Sequence, residues 1–179
     1  MKLPTLFKSG TRTLTVGELM RTSVRTCSPD DTLNRAAQIM WENDCGCVPV
    51  VNPSGCVVAV ITDRDVCMAA YTRDQPLTQL HVSLAMSKTL YCCAAYDSLA
   101  TAEGLMQSKQ VHRLPVTDRD GRLLGILTLG DLARHLDTHP AGATEVSPEE
   151  VAWTLAGVCR PHTSSAERGP ASRRSRPPL

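Results

Sequence analysis

The chain has 179 residues, of which 42% are hydrophobic, 21% are charged and 3% are aromatic, and its formal net charge is +1. A chain of this length and composition can bury a core without disulfides or metal, as one domain or as two very small ones. Residues 160–179 carry five arginines and one glutamate, and the rest of the chain has 14 basic and 17 acidic side chains, which excludes a strongly basic domain of the duplex-binding kind.

The first fourteen residues form an N-terminal segment without an apolar stretch of signal-peptide length. No apolar run in the chain approaches the roughly 20 residues that a membrane span needs. We therefore expect a cytoplasmic protein with no membrane partner. In that compartment its eight cysteines are expected to be reduced thiols.

An internal repeat organises most of the remaining chain. When the sequence is shifted by 66 residues, residues 16–66 lie over 82–132 without a gap, and twelve of the 51 positions are identical. We therefore expect two copies of one unit, over 15–72 and 81–137. The identical pairs are Val16/Val82, Met20/Met86, Cys27/Cys93, Asp31/Asp97, Leu33/Leu99, Ala36/Ala102, Met40/Met106, Pro49/Pro115, Val50/Val116, Gly55/Gly121, Thr62/Thr128 and Asp65/Asp131.

Each copy is expected to fold as strand, helix, strand, strand and helix. In the first copy the apolar spacing of a helical face begins at Leu33 after the capping pair Asp31-Thr32, and the second copy repeats it after Asp97-Ser98. Two apolar runs separated by a four-residue turn with glycine then predict a β-hairpin. The expected strands are 24–27, 47–51, 56–62, 90–93, 113–117 and 122–128, and the last helices start near Asp63 and Leu129.

The chain changes character after Pro140. Ser147 followed by Pro148 and two glutamates is typical of a helix start, so a C-terminal helix is expected over 147–159. This helix is expected to pack on the repeats or on a partner chain. Residues 160–179 are rich in Arg, Ser and Pro and are expected to form a disordered basic tail. The tail is either simply solvated or in contact with an acidic partner or nucleic acid.

Short motifs recur in the same order in both copies. They are Val16-Gly-Glu-Leu-Met20, Val48-Pro49-Val50-Val51 and Val58-Ala-Val-Ile-Thr-Asp-Arg-Asp65 in the first copy, and His112-Arg-Leu-Pro-Val116 and Leu124-Gly-Ile-Leu-Thr-Leu-Gly-Asp131 in the second. In their order, spacing and duplication these motifs resemble a tandem pair of cystathionine-beta-synthase (CBS) domains, often called a Bateman module. The resemblance implies one α+β module whose two β-α-β-β-α repeats pack with approximate two-fold symmetry around a cleft.

The resemblance also implies a stand-alone regulatory module with no catalysis of its own. Such pairs commonly bind an adenosine-containing ligand, such as AMP, ADP, ATP or S-adenosylmethionine, in the cleft, and binding changes the shape of the pair or of its dimer. We therefore expect a ligand sensor that forms a homodimer and acts on an effector protein that the sequence does not identify. No tightly bound cofactor and no nucleic-acid partner are expected.

The family's ligand motif is a Thr or Ser after the third strand with an Asp three residues later. Here it falls on Thr62 and Asp65 in the first copy and on Thr128 and Asp131 in the second. A carboxylate can accept two hydrogen bonds from a ribose diol, and a Thr hydroxyl at a helix start can help to hold a phosphate. The alternative is that each Thr and Asp only caps the last helix of its repeat.

The two copies differ in where they carry positive charge. The second copy has His112 and Arg113, which face phosphates in nucleotide-binding members of the family, where the first has Gly46 and Cys47; the first has Arg64 instead. We expect two sites of different affinity. In the extreme case of this hypothesis, one of the two sites binds no ligand. The alternative is that Arg64 and Arg113 form surface ion pairs with Asp63 or Asp118. The predicted ligand contacts are Val48, Pro49, Thr62, Asp63, Arg64, Asp65, His112, Arg113, Pro115, Thr128 and Asp131.

Two other functional classes stay open. One is a structural or protein-interaction module with vestigial ligand sites, and the other is a thiol-redox or metal-responsive protein. The spacing of Cys45-Gly-Cys47 and Cys92-Cys93 does not match a zinc site, so buried cysteines acting as small apolar side chains are the preferred reading. No metal site is expected at His135 and His139. No catalytic site is predicted, because the sequence has no nucleophile elbow, P-loop or Gly-x-Gly-x-x-Gly motif.

Overall fold

A computed structural model describes residues 13–138 and 146–160 of the chain. Its regular elements are six α-helices and five strands, with short 3-10 turns at Leu77–Gln79 and Val82–Leu84. In chain order they are α1 (Val16–Leu19), α2 (Leu33–Glu42), β1 (Cys47–Val51), β2 (Val57–Thr62), α3 (Asp63–Arg73), β3 (Cys93–Ala94), α4 (Leu99–Lys109), β4 (Arg113–Thr117), β5 (Leu123–Thr128), α5 (Leu129–Thr138) and α6 (Pro148–Val158). The expected α+β architecture with two repeats is confirmed.

The two hairpins are built alike. β1 pairs with β2 in the antiparallel sense with Cys47 opposite Thr62, and β4 pairs with β5 in the same register 66 residues later. Both hairpins have a register irregularity at the equivalent place. Gly55 and Gly121 lie in the two turns at a φ of +80°. A side chain is disfavoured in this conformation, so the repeated glycine is what the repeated turn requires.

The early strand of each copy is shorter than the sequence predicts. Within 24–27 only Cys27 is bridged, in parallel to Val50. In place of the predicted 90–93, the two-residue β3 pairs in parallel with β4. The residues just before each bridge line a cavity between the repeats and do not extend a sheet. These predicted strands are therefore wrong in length, because the pairing is limited to Cys27 in the first copy and to Cys93 and Ala94 in the second.

The first residues of each repeat, with one or two residues ahead of them, cross to the other repeat and complete its core. We call residues 13–21 and 79–87 the crossing segments. α1 lies in the first of them and contacts β3 and α5 of the second repeat. The Leu33 N–H donates to the Leu80 carbonyl at 2.7 Å, and the Leu99 N–H donates to the Leu14 carbonyl at 3.3 Å. These two hydrogen bonds are equivalent, because Leu33 and Leu99, like Leu14 and Leu80, are 66 residues apart.

Each repeat has its own apolar core, and a crossing segment supplies part of it. Leu80 and Val82 are 2% and 0% exposed in the core of the first repeat. Leu14 and Val16 are 6% and 0% exposed in the core of the second. The helices contribute the apolar positions that their spacing predicts, namely Leu33, Ala36 and Met40 in the first core and Leu99, Ala102 and Met106 in the second.

The tips of the two hairpins meet. Cys56 and Arg122, which are equivalent positions of the repeat, form an antiparallel bridge with each other. The Val57 N–H donates to the Gly121 carbonyl at 3.0 Å, and the Leu123 N–H donates to the Gly55 carbonyl at 3.3 Å. The approximate two-fold axis therefore passes between the two tips.

The C-terminal helix α6 packs on the second repeat, against α4 and α5. A capping box formed by Ser147 and Glu150 starts it, as predicted. Thr154 is 1% exposed and accepts a 3.0 Å hydrogen bond from the Gln107 side-chain amide. Val158 is 5% exposed in the second core. Of the two expectations for this helix, the structure thus shows packing on the repeats.

Parts of two predicted segments fall outside the described residues, which leave out 1–12 and 161–179. His139 also lies outside them. Within 13–138 and 146–160, none of the helices combines the length and the apolar character that crossing a bilayer demands.

Candidate functional site

Two cavities lie between the repeats at equivalent places. Cavity A, of about 240 Å³, is bounded by the end of β2, by the chain just after the second crossing segment and by the start of β4. It contains the Thr62 and Asp65 pair. Its lining residues are Val60, Thr62, Asp65, Ser87, Thr89, Leu90, Tyr91, Gln110, Val111, His112, Arg113 and Pro115.

Cavity B, of about 530 Å³, is the counterpart on the other side of the two-fold axis. It is bounded by the end of β5, by the chain from Arg21 to Arg25 and by the start of β1. Its lining residues are Arg21, Ser23, Val24, Arg25, Asn43, Asp44, Cys45, Gly46, Cys47, His112, Arg113, Ile126, Thr128, Leu129, Gly130 and Arg134. Many of these are the positions of cavity A shifted by 66 residues.

In cavity A, Thr62 and Asp65 form the cap of α3. The Thr62 N–H and hydroxyl donate to Oδ2 of Asp65 at 2.9 and 2.7 Å, and the Asp65 N–H donates to the Thr62 hydroxyl at 3.2 Å. The capping role weighed from the sequence is therefore present. It uses one carboxylate oxygen only, because Oδ1 of Asp65 has no hydrogen-bond partner within the described part of the chain. Capping and ligand contact are compatible at this residue.

In cavity B the same cap forms, but the second oxygen is also engaged. The Thr128 N–H and hydroxyl donate to Oδ2 of Asp131 at 2.8 and 2.6 Å. Oδ1 accepts a 2.9 Å hydrogen bond from Nε of Arg21 and another from Nη2 of Arg134. The Asp131 side chain is 5% exposed. Both oxygens of this carboxylate are thus occupied by the protein, whereas Asp65 has one to spare.

His112 and Arg113 line both cavities. The Arg113 guanidinium points toward the first repeat, since a β-carbon built on Gly46 would lie 3.6 Å from it. Burial raises the pKa of the neighbouring Cys47 thiol, and the Arg113 charge opposes that rise. Because Gly46 of the first repeat has no side chain, the guanidinium of Arg113 from the second repeat can lie beside it.

The other predicted contacts lie elsewhere. Val48 and Pro49 are buried in β1, and Asp63 and Arg64 are exposed at the start of α3. None of these four lines cavity A or cavity B. Among the described residues, neither Arg64 nor Arg113 forms an ion pair with Asp63 or Asp118. The structure thus groups Thr62, Asp65, His112, Arg113 and Pro115 around cavity A, and Thr128, His112 and Arg113, with Asp131 behind them, around cavity B.

Sequence reasoning missed the three arginines of cavity B that come from other segments, Arg21, Arg25 and Arg134. The repeat alignment held the signal, because Arg21 and Arg134 stand where the other copy has Ser87 and Met68. What it could not show is that the start of the first repeat reaches the second.

Three of the eight cysteines are buried, three are exposed, and Cys56 and Cys92 are intermediate. Burial, aided by a nearby aspartate in each case, raises the pKa values of Cys27 and Cys93 to about 12. Cys45, Cys67 and Cys159 are exposed. Within the described residues, no group of three or more His, Cys, Asp or Glu side chains is arranged to hold a metal ion.

Comparison with known proteins gives consistent matches. The CBS domain family matches residues 16–71 and 81–138. The CBS domain-containing protein YhcV of Bacillus subtilis is 36% identical over 141 residues, which cover 76% of this chain and 97% of that protein. Crystal structures of Hypoxic Response Protein I with two coordinated zinc ions and of CBSX2 in complex with AMP match with TM-scores of 0.63 and 0.60 and identities of 29% and 28%. These two matches cover 69% and 68% of this chain and 99% and 94% of theirs.

Proposed function

The chain belongs to the CBS domain family as a tandem pair, and on that premise we propose that it is a regulatory module that binds an adenosine-containing ligand in cavity A. One observation carries the proposal: Oδ1 of Asp65 is unpartnered among the described residues at the wall of a cavity between the repeats. The AMP complex of CBSX2, a structural neighbour at 28% identity, supports the ligand class.

The chemistry of cavity A suits a nucleoside. Asp65 can accept hydrogen bonds from the ribose hydroxyls through Oδ1 while Oδ2 continues to cap α3. Val60, Leu90 and Pro115 provide apolar surface for a purine, and His112 and Arg113 provide the positive charge for a phosphate. The cavity has a volume of about 240 Å³, less than half of the 530 Å³ of cavity B.

Regulation follows from where the cavity lies. Its walls come from β2 of the first repeat, from β4 of the second and from the chain that leads into the second. A ligand that contacts all three stabilises the arrangement of the repeats that it binds best, and the population shifts toward that arrangement. The module therefore reports ligand concentration to a partner and needs no catalytic centre of its own.

A homodimer is part of the proposal. α2 and α3 of the first repeat present Trp41 and Tyr71, which are 89% and 82% exposed, with Met68 beside them. The equivalent side of the second repeat is covered by α6. The uncovered helices of the first repeat are the surface that we assign to the second copy.

Calorimetric titration of the full chain with adenosine and AMP tests the proposal. We expect binding to the native protein and at least a tenfold weaker affinity in Asp65→Asn, since a hydrogen bond to a charged group contributes about 1.5–3 kcal/mol. Asp31→Asn is the matched control, because Asp31 also accepts a backbone N–H bond, at 2.7 Å from Ser28, but lies outside both cavities. Binding that survives in Asp65→Asn, or no binding of AMP, ADP, ATP or S-adenosylmethionine to the native protein, would overturn it.

A further inference from the structure

Cavity B has lost the contact that cavity A offers to a ribose and has gained positive charge. We propose that cavity B binds a polyphosphate group, from a free inorganic polyphosphate or from a nucleoside triphosphate, and does not use Asp131 to hold a sugar. The proposal rests on the function assigned to cavity A for its regulatory meaning, but not for the binding itself.

The first step concerns Asp131. Four hydrogen bonds converge on its carboxylate, two on Oδ2 from Thr128 and two on Oδ1 from Arg21 and Arg134. The side chain is 5% exposed, so solvent hardly competes with these bonds. A ribose hydroxyl would have to displace one of these two guanidinium groups from Oδ1 to reach it. Asp131 therefore acts as an anchor for the two arginines.

The second step concerns the donors that remain. A guanidinium has five N–H donors, and Asp131 takes one from each arginine. Among the described residues no other partner engages the Arg21 or Arg134 side chain, and these side chains are 60% and 57% exposed. Both line the cavity. The buried carboxylate thus holds two guanidinium groups side by side with most of their donors unused.

The third step is the balance of charge. Four arginines line cavity B, Arg21, Arg25, Arg113 and Arg134, together with His112, and the one carboxylate in its wall is that of Asp44. Even with Asp131 counted, the arginines are in excess. Cavity A has Arg113 and His112 against Asp65. Arginine binds phosphate oxygens in pairs of parallel hydrogen bonds, so this excess selects for phosphate.

The fourth step separates a polyphosphate from a single phosphate. The arginines come from three separate parts of the chain, which are the stretch from Arg21 to Arg25, the start of β4 and the second turn of α5. The cavity they share has about 530 Å³, twice the room of cavity A. A chain of two or three phosphates presents more oxygen acceptors to these three parts of the chain than a single phosphate does.

Titration of the full chain with sodium tripolyphosphate, ATP and AMP tests the proposal. Tripolyphosphate and ATP are expected to bind, and Arg25→Ala is expected to weaken both by roughly tenfold, the effect of one charge-assisted hydrogen bond. Arg25 forms no ion pair among the described residues, so its removal leaves the fold intact. Arg64→Ala is the matched control, since Arg64 is exposed and lines neither cavity. No binding of tripolyphosphate, or equal weakening by both variants, would overturn the proposal.

A second variant replaces the pair of arginines by the residues of the other repeat. In Arg21→Ser with Arg134→Met, Oδ1 of Asp131 is released as in cavity A. We expect tripolyphosphate affinity to fall by more than tenfold and the number of AMP molecules bound per chain to rise from one to two. An unchanged affinity for tripolyphosphate, or AMP binding that stays at one, would contradict the role given to Asp131.

The two proposals fail separately. Asp65→Asn is expected to weaken AMP binding at least tenfold and to leave tripolyphosphate binding unchanged. If AMP does not bind and tripolyphosphate does, the proposed function of cavity A fails alone. If AMP binds and tripolyphosphate either does not bind or loses its affinity in Asp65→Asn, the inference about cavity B fails alone. If ATP binds and tripolyphosphate does not, the inference about cavity B also fails, because binding would then require the sugar or the base.

Discussion

The two repeats differ most around an aspartate whose capping hydrogen bonds are nearly the same in both. Both have a threonine and an aspartate that cap the last helix with nearly the same distances. In the second repeat Arg21 and Arg134 bond to that aspartate, and the equivalent positions for the first repeat are Ser87 and Met68, which carry no charge. The cap is needed for folding in both repeats, so it is the same in both. The residues beyond it determine what each cavity can bind, and they have diverged.

The outer faces of the repeats show the same contrast. α6 covers one side of the second repeat, where Gln107 bonds to the buried Thr154. The equivalent position in the first repeat is Trp41, which is 89% exposed. One backbone therefore supports a face that is covered within the chain and an equivalent face that is exposed. A duplicated fold can assign different contacts to its two halves without any change in its strands.

The largest expected effect tests whether both cores depend on the crossing segments. Leu80→Ala should lower the free energy of unfolding by about 2–5 kcal/mol, because it leaves a cavity in the first core, and Leu14→Ala should do the same in the second. Urea unfolding measures both. Leu84→Ala is the control, since Leu84 belongs to the same crossing segment and is 51% exposed. Equal losses for Leu80 and Leu84 would show that the segment does not complete the core.

A smaller effect is expected where the outer faces differ. Val158→Ala removes two buried methyl groups and should lower the free energy of unfolding by about 1.5 kcal/mol, at roughly 0.8 kcal/mol per group. Leu155, on the exposed side of α6, is the control. Trp41→Ala should change the stability of the monomer by less than about 0.5 kcal/mol and weaken the proposed dimer, which analytical ultracentrifugation would measure. A loss on Trp41→Ala as large as that for Val158 would contradict the contrast.

The smallest expected effect at neutral pH concerns Cys27 and Cys93. These thiols occupy equivalent positions of the two repeats, and their pKa values are raised alike. Since the pKa values of Cys27 and Cys93 are about 12, both should resist iodoacetamide at pH 8, while the exposed Cys45 and Cys67 react. The unfolded chain releases these protons near pH 9 and the folded chain retains them, so the contribution of these two thiols to stability is constant below pH 9 and is lost as the pH rises toward 12. Cys93→Ala should reduce that fall. Rapid labelling of either buried thiol, measured by mass spectrometry, would contradict this.

The sequence predicts the architecture well because each local signal is repeated. The hairpins and helix starts agree with the structure since glycine turns and capping residues act over a few neighbouring positions. The early strands were predicted too long, because a run such as Val24–Cys27 looks like a strand until its polar residues are seen to face a cavity. Alternation of residue type cannot distinguish a cavity wall from a sheet.

The candidate site is predictable only in part. Thr62 and Asp65 follow from the motif, and His112 and Arg113 from the resemblance. The arginines that set the charge of cavity B do not, because Arg21 meets Asp131 across 110 residues of chain. Arg64 was expected to supply charge in the first copy, and the structure places it outside both cavities. Contacts made by a segment that crosses between repeats depend on the tertiary fold and leave no local pattern.

The crossing segments also determine how small a chain with this fold can be, because each core needs residues from both repeats. A single repeat cut from the chain carries a segment that fits another repeat and lacks the one that would fill its own core. An ancestral gene for one repeat would therefore have encoded a chain that folds only by trading segments with an identical copy. Joining two such copies in one chain keeps every contact of that trade and makes it independent of concentration. Once the copies are joined, a mutation in one repeat no longer alters the other. The different residues around Asp65 in cavity A and Asp131 in cavity B are differences of this kind.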